Sequence, residues 1–207
     1  LAVITNYATL QTAIADYLAR DDLTSWLPNF IENTERKLYR TLNLRNEETA
    51  LSVSISSGTA TVPTDFKALK FAYYASSPTT LLQWMPVEDL YRKYPTRSGS
   101  NTPCAISREG SSFIFGPYPA DGTLNGIYYA KQDLLQDTDP SWYASNAPEV
   151  LLYGSLVEAG QFIQDDAVIA RFAPLFNDAV STLLEEEKES AVSKGSLVQR
   201  VGVGYVA

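Results

Sequence analysis

NAPEVLLYGSLVEAGQFIQDDAVIARFAPLFNDAVSTLLEEEKESAVSK, residues 146–194, carries the longest apolar pattern in the chain. Leu152, Leu156, Ala159 and Ile163 recur at helical spacing and so share one face of a helix. Val168, Phe172, Leu175, Ala179 and Leu183 repeat that spacing in a second helix. Asp165-Asp166 interrupts the apolar pattern between them, as a short helix–helix corner does, so the two are expected to fold back as an αα-hairpin. Pro174 lies inside the second pattern, lacks an N–H and crowds the preceding turn, and is expected to kink or restart that helix. The small residues Gly154, Ser155, Ala159 and Gly160 let another backbone come close. This hairpin reads as the scaffold.

Working outward, 207 residues suffice for one full core, or a core with a small second lobe. A composition 45% apolar and 12% aromatic is that of a globular chain. No uninterrupted apolar run approaches the roughly 18 residues that span a bilayer. The first residues lack the basic, apolar and small-residue order of a signal peptide. The expectation is a soluble protein of a cytoplasmic compartment, with no membrane partner.

Sixteen basic against 24 acidic side chains leave a net charge of −8, with no histidine. Such a chain repels nucleic acid as a whole, which makes phosphate binding a poor default. Cys104 is the single cysteine, so an internal disulfide and a Cys/His zinc site are both excluded. Without histidine, Ser-His-Asp and Cys-His catalysis are closed as well.

Before the hairpin the chain changes period twice. Asn6 is placed to cap a helix striped by Leu10, Ile14, Tyr17 and Leu18 and ending near Arg20. Asp21-Asp22 makes a corner. Thr24 or Ser25 then caps a second helix, with Pro28 in its first turn. That helix carries Phe30, Ile31, Leu38 and Leu42. Glu32 and Glu35 come early and Arg36, Lys37, Arg40 and Arg45 late, an order that complements the helix dipole. The dipole explains this basic cluster better than a phosphate patch does, given the acidic chain around it.

From Glu47 the period becomes two. Leu51, Val53 and Ile55 alternate with Ser52 and Ser54, and Ser56-Ser57-Gly58 turns the chain into a second strand at 59–62. Further strands are read at 70–75, 81–85, 104–108, 112–115 and 124–131, with a short helix at 86–94. The Ser-, Gly-, Asn- and Pro-rich stretch 96–103 reads as a mobile loop. Residues 133–145 read as a polar connector.

The expected fold class is therefore α+β: mainly α, an N-terminal helix pair plus a long C-terminal αα-hairpin, with a small antiparallel β region inserted. The boundaries are 1–46 for the helix pair, 47–132 for the β region with its one short helix, and 133–194 for the connector and hairpin. The hairpin shares a core with 1–46. Residues 195–207 form an extended C-terminal tail.

Several local patterns occur in a telling order: YATL at 7–10, DYLARDDL at 16–23, PNFIE at 28–32 with Glu35-Arg36, PTDF at 63–66, Tyr128-Tyr129, Trp142, and PEVLLYGSLVEA at 148–159. Together they resemble the head-to-tail adaptor, or connector, proteins of tailed bacteriophages, including the tail accessory factors of short-tailed phages. The resemblance implies a mainly helical structural protein that assembles as a ring of about a dozen copies beneath the portal. The ring presents a surface to tail or nozzle proteins, and double-stranded DNA passes transiently through its lumen. It also implies a place at the virion head–tail junction, reached from the host cytoplasm during assembly. An acidic pore wall agrees with this, since phosphate finds few cations there to replace its counterions.

Carboxylates are the plentiful catalytic groups that remain. Asp133, Asp137 and Asp139 have a spacing that suits a hard cation, but without the Gly and terminal Glu of an EF-hand loop turn and cap roles are favoured. Glu185, Glu186, Glu187 and Glu189 crowd a helix C-terminus, where the dipole disfavours them and Lys188 and Lys194 offset them in part. They read as a solvated face. The alternative function is a carboxylate-dependent cell-wall hydrolase of the phage tail, which needs two carboxyl groups about 5–9 Å apart. No hydrolase signature accompanies it. The expectation is no catalytic centre, no cofactor and no metal. The 13 tyrosines are core and rim material, a residue type also enriched in interfaces.

Gly195 is placed as a helix C-cap. Beyond it Leu197, Val198, Val201, Val203, Tyr205 and Val206 are apolar, and Arg200 is the one charged side chain. Val201-Gly202-Val203-Gly204-Tyr205 puts its large side chains on one side of an extended strand, while the glycines let a second backbone pack close. Such a tail either folds back on its own subunit or docks on the portal protein by adding a strand or filling a groove. The resemblance implies the second, because these adaptors grip the portal with extended C-terminal segments.

Overall fold

The computed structural model describes residues 4–20, 22–132 and 142–191. The chain divides into two compact units, residues 1–35 with 135–207, and residues 36–134.

The first unit is helical. α1 (Tyr7–Leu18) begins at Asn6, whose Oδ1 accepts the Thr9 N–H at 2.9 Å while Thr9 Oγ1 accepts the Asn6 N–H at 3.0 Å. This reciprocal cap satisfies two donors that the first turn leaves without partners, a gain of about 1 kcal/mol. α1 ends as Ala19 turns left-handed at φ 50°. Thr24 and Ser25 lie in a 3-10 turn, Thr24–Trp26, that runs into α2 (Leu27–Thr41). α2 crosses from the first unit into the second at residue 36.

α4 (Trp142–Asn146, five residues) occupies the end of the expected polar connector, because Tyr143 and Ala144 have apolar bodies to bury. α3 (Val87–Lys93) belongs to the second unit. α5 (Pro148–Ile163) and α6 (Asp166–Ala191) form the expected hairpin. Pro148 opens α5 where no N–H is needed, and Gln164, left-handed at φ 56°, closes it. Asp165 Oδ1 then accepts the N–H groups of Ala167 and Val168 at 2.9 and 3.3 Å, which caps α6.

Half of α5 is buried, including Gly154, Ser155, Ala159 and Gly160. A Cβ on Gly154 would run into Thr34 Cγ2 and lie 2.9 Å from Phe176 Cε2, so α5 sits between α2 and α6 at backbone distance. α6 continues through Pro174. Its inward face is Phe172, Phe176, Ala179 and Leu183, whereas Leu175, expected on that face, is 41% exposed. Over Asp166–Glu189 α6 is long and apolar enough to cross a membrane by length and composition. Arg171, Asn177 and Asp178 interrupt it; Phe172, Ala179 and Leu183 are its buried positions on the side packed against α5, and most of its other described residues are half-buried or exposed.

The second unit corrects the expected fold class. It is not a small antiparallel region in a mainly α chain but a closed barrel of seven strands, ordered β1-β2-β6-β5-β4-β3-β7. The strands are β1 (Glu48–Ser56), β2 (Thr59–Thr61), β3 (Phe66–Tyr74), β4 (Thr80–Trp84), β5 (Ala105–Glu109), β6 (Ser112–Gly116) and β7 (Gly122–Ala130). Most neighbours are antiparallel, but β4 and β5 run parallel. Closure rests on β7, which pairs with β1 from Glu48↔Tyr129 to Ile55↔Gly122 and with β3 on its other edge. Alternation within each strand reveals a strand but not which distant strand it meets, so the sequence reading stopped short of the barrel.

Inside the barrel lie Leu51, Ile55, Phe66, Tyr74, Ile106, Phe113, Phe115, Leu124 and Tyr128, with small residues such as Ala60 and Ala72 between them. Gly126 is required by close approach, since a Cβ there would strike the Phe71 carbonyl and the Ala72 Cα of β3. The outer faces of Ala105 and Ile114 are covered by Leu90 of α3 (Val87–Lys93). Tyr128 donates its hydroxyl to both oxygens of Asp65 at 3.0 Å, which ties β7 to the turn before β3. Burial, and then the Asp65 carboxylate, push the Tyr128 hydroxyl pKa above its usual range. Tyr128→Phe leaves that carboxylate without its donor and is expected to cost about 1–3 kcal/mol in urea unfolding. A change below a few tenths would show the pair to be incidental.

Candidate interaction surfaces

In the first unit the exposed aromatics cluster. Trp26, on the 3-10 turn, is 45% exposed and its ring lies 4.9 Å from that of Phe162, itself 48% exposed near the end of α5. Phe162 also meets Phe30 of α2 at 5.5 Å. Two large half-exposed rings side by side are the kind of surface that protein interfaces favour.

A cleft of about 670 Å³ opens between α1, the start of α5 and α6, with Asp16, Glu149 and Arg171 among its lining residues. Tyr17 and Tyr153 also line it, and both meet the buried Phe172 ring, edge-on at 6.0 Å and stacked at 6.4 Å, with the Arg171 guanidinium 5.2 Å from that ring. The cleft thus combines aromatic rings with charges of both signs.

On the barrel, Phe71 and Tyr73 point outward from β3 with rings stacked at 6.4 Å, and Leu81 of β4 stands opposite Tyr73. Leu81 is 70% exposed. The loop at 96–103 is contacted at two points. The Arg97 guanidinium sits over the Tyr91 and Tyr118 rings at 5.2 and 5.6 Å and donates to the Phe115 carbonyl at 2.7 Å. Asn101 donates its N–H to the Tyr118 carbonyl at 3.0 Å.

Arg36, Lys37 and Arg40 lie exposed on the second half of α2, and Glu185, Glu186 and Glu189 are exposed near the end of α6. The Cys104 thiol is exposed and lies 3.1 Å from the Tyr94 hydroxyl. That hydrogen bond, and then burial, hold the Tyr94 hydroxyl pKa above its ordinary value. Glu47, in the second unit, is deeply buried and paired with Lys67 at 2.6 Å. Among the described residues no group of three or more His, Cys, Asp or Glu side chains has metal-binding geometry. Asp133, Asp137 and Asp139, Lys194, and the tail residues Leu197, Val198, Arg200, Val201, Val203, Tyr205 and Val206 lie outside the described residues. Sequence reasoning missed Trp26, Phe162 and Leu81 as surface residues. Large apolar side chains on a helix or strand read as core until the packing shows which face is covered.

A family model described as SU10 adaptor protein matches residues 5–200. The chain belongs to this family. As an SU10 adaptor protein it is a phage head-to-tail adaptor, with a structural role at the virion head–tail junction, as the sequence resemblance implied. The match spans the barrel as well as the helices, so the β unit lies within the SU10 adaptor match. No curated protein matches the chain.

Proposed function

We propose that this adaptor is one subunit of a closed ring of about a dozen copies beneath the phage portal. The ring joins capsid to tail, contacts portal and tail or nozzle proteins, passes double-stranded DNA through its lumen, and performs no catalysis. The observation that carries the proposal is the family match over nearly the whole chain. The exposed Trp26–Phe162 pair and the outer Phe71–Tyr73–Leu81 row support it, since a head-to-tail ring contact needs two different faces on each subunit. A net charge of −8 suits a lumen that lets DNA pass without gripping it.

The mass of the chain, measured with and without portal, tests the ring. Many copies per portal are expected; one or two would end the idea. Specific peptidoglycan turnover, abolished by a single carboxylate-to-amide change, would replace the structural reading by the hydrolase.

The C-terminal tail is proposed as the portal anchor, through Leu197, Val198, Arg200, Val201, Val203, Tyr205 and Val206. Its apolar, period-two sequence suits strand addition or groove filling. Removing residues 196–207 should leave the melting temperature nearly unchanged and abolish co-sedimentation with portal. Full-strength binding by the truncated protein would show that the anchor lies elsewhere.

A further inference from the structure

One strand of the barrel leaves it early. β4 has five residues against nine in β3, and it pairs with β3 only at Ala72–Tyr74. After Trp84 and Met85 the chain reaches Pro86, which has no N–H to give to a ladder, and departs into α3. On its other side β4 meets β5 only at Ala105 and Ile106, extended by the Met85 N–H to the Ile106 carbonyl at 3.0 Å.

Two strand ends are therefore paired on one side only among the described residues. Phe66–Leu69 of β3 has β7 as its sole strand neighbour, and Ser107–Glu109 of β5 has β6. A groove of about 370 Å³ lies at these ends, lined by Phe66, Lys67, Ala68, Leu69, Trp84 and Arg108. The Arg108 guanidinium reaches the Phe66 ring at 5.3 Å, so a side-chain contact spans the place where β4 would have continued. Backbone donors and acceptors along such strand ends form a template for another strand. Trp84, half exposed, offers an apolar wall.

The charge of the groove selects the occupant. Its two charged side chains, Lys67 and Arg108, are both cations in a chain of net charge −8. Lys67 is already neutralised by Glu47, and Arg108 donates its Nε–H to the Gly110 carbonyl at 2.9 Å, which leaves the terminal nitrogens of Arg108 to meet an incoming carboxylate. A strand continuing the direction of β4 would run antiparallel to β3 and parallel to β5.

We propose that this groove receives an extended, acidic segment of another virion protein as an added strand, with a carboxylate beside Arg108 and an apolar side chain against Trp84. The proposal stands apart from the ring and the tail anchor, because it is read on the isolated chain.

The probe is a blocked octapeptide of alternating valine and threonine with one central aspartate. Beside it are tested an N-methylated copy and a copy with lysine in place of aspartate. The acidic peptide should bind saturably and slow amide exchange at residues 66–69 and 107–109. The N-methylated and lysine copies should bind at least about tenfold more weakly, because one loses ladder hydrogen bonds and the other the charge match. Arg108→Glu should invert the preference between aspartate and lysine peptides. Equal binding of the N-methylated copy, or protection elsewhere, would overturn the proposal, as would no binding at all. Self-association of the full chain that Arg108→Glu abolishes would also overturn it, by assigning the groove to a second copy.

Discussion

Lys67→Met is expected to lower unfolding free energy by about 3–5 kcal/mol at neutral pH. Lys67 Nζ donates to Glu47 Oε2 at 2.6 Å and, in a still shorter contact, to the carbonyl of Leu42, just past the end of α2. One ammonium group thus ties the exit of α2 and the start of β1 to β3. Glu47 is fully buried, and its other oxygen has no hydrogen-bond partner among the described residues. Removing the lysine leaves a charge with neither water nor counterion, and this dominates the loss. Replacing both residues, Lys67→Met with Glu47→Leu, should recover most of the stability, because the cost lies in the stranded charge.

The pH dependence follows from Glu47. Burial pushes its pKa above the ordinary 4.5, and the hydrogen bond and charge of Lys67 pull it back only in part. The folded state then holds the proton to higher pH than the unfolded chain. The contribution of Glu47 is greatest below about 4.5 and is lost as pH rises through the folded value. Without Lys67 the folded pKa rises further, so the penalty of Lys67→Met should be small near pH 4 and full by pH 8. Denaturant melts at both pH values check this. A penalty independent of pH, or one below about 1 kcal/mol, would mean the carboxylate is solvated after all.

Gly154→Val is the second large effect, expected to reach the upper part of the roughly 1–3 kcal/mol that overpacking costs. A glycine inside a helix loses about 1 kcal/mol against alanine, so its presence in α5 calls for a packing reason. That reason is Thr34 Cγ2, which a Cβ would strike, with Phe176 Cε2 at 2.9 Å on the other side. Even Gly154→Ala should destabilise despite its helix propensity. Thr34→Ser should rescue it, because serine drops Cγ2 while retaining the hydroxyl that donates to the Phe30 carbonyl at 2.9 Å. The coupling between these two sites should be about 0.5–3 kcal/mol in a double-mutant cycle. Additive effects would show that α5 shifts rather than collides.

The sequence by itself determined the local elements. Asn6 caps α1 because a side-chain oxygen three residues before Thr9 meets a backbone donor whatever the rest of the chain does. α5 and α6 begin and end near the expected Asp165-Asp166 corner, and the Ser56-Ser57-Gly58 turn joins β1 to β2. These are contacts within a few residues, so their signal is printed in consecutive letters. The match over residues 5–200 likewise agrees with the adaptor resemblance read from ordered local patterns.

Tertiary structure decided the rest. That seven strands close into a barrel depends on Glu48 meeting Tyr129 and Thr59 meeting Ile114, pairings that alternation cannot specify because many registers satisfy it equally. Which face of α6 is inward was misread at Leu175, since Leu175 and Phe176 are adjacent and only packing on α5 chooses between them. The half-exposure of Trp26, Phe162 and Leu81 has the same origin. Burial is set by which other surfaces arrive, and a residue's own chemistry records only what it gains if they do.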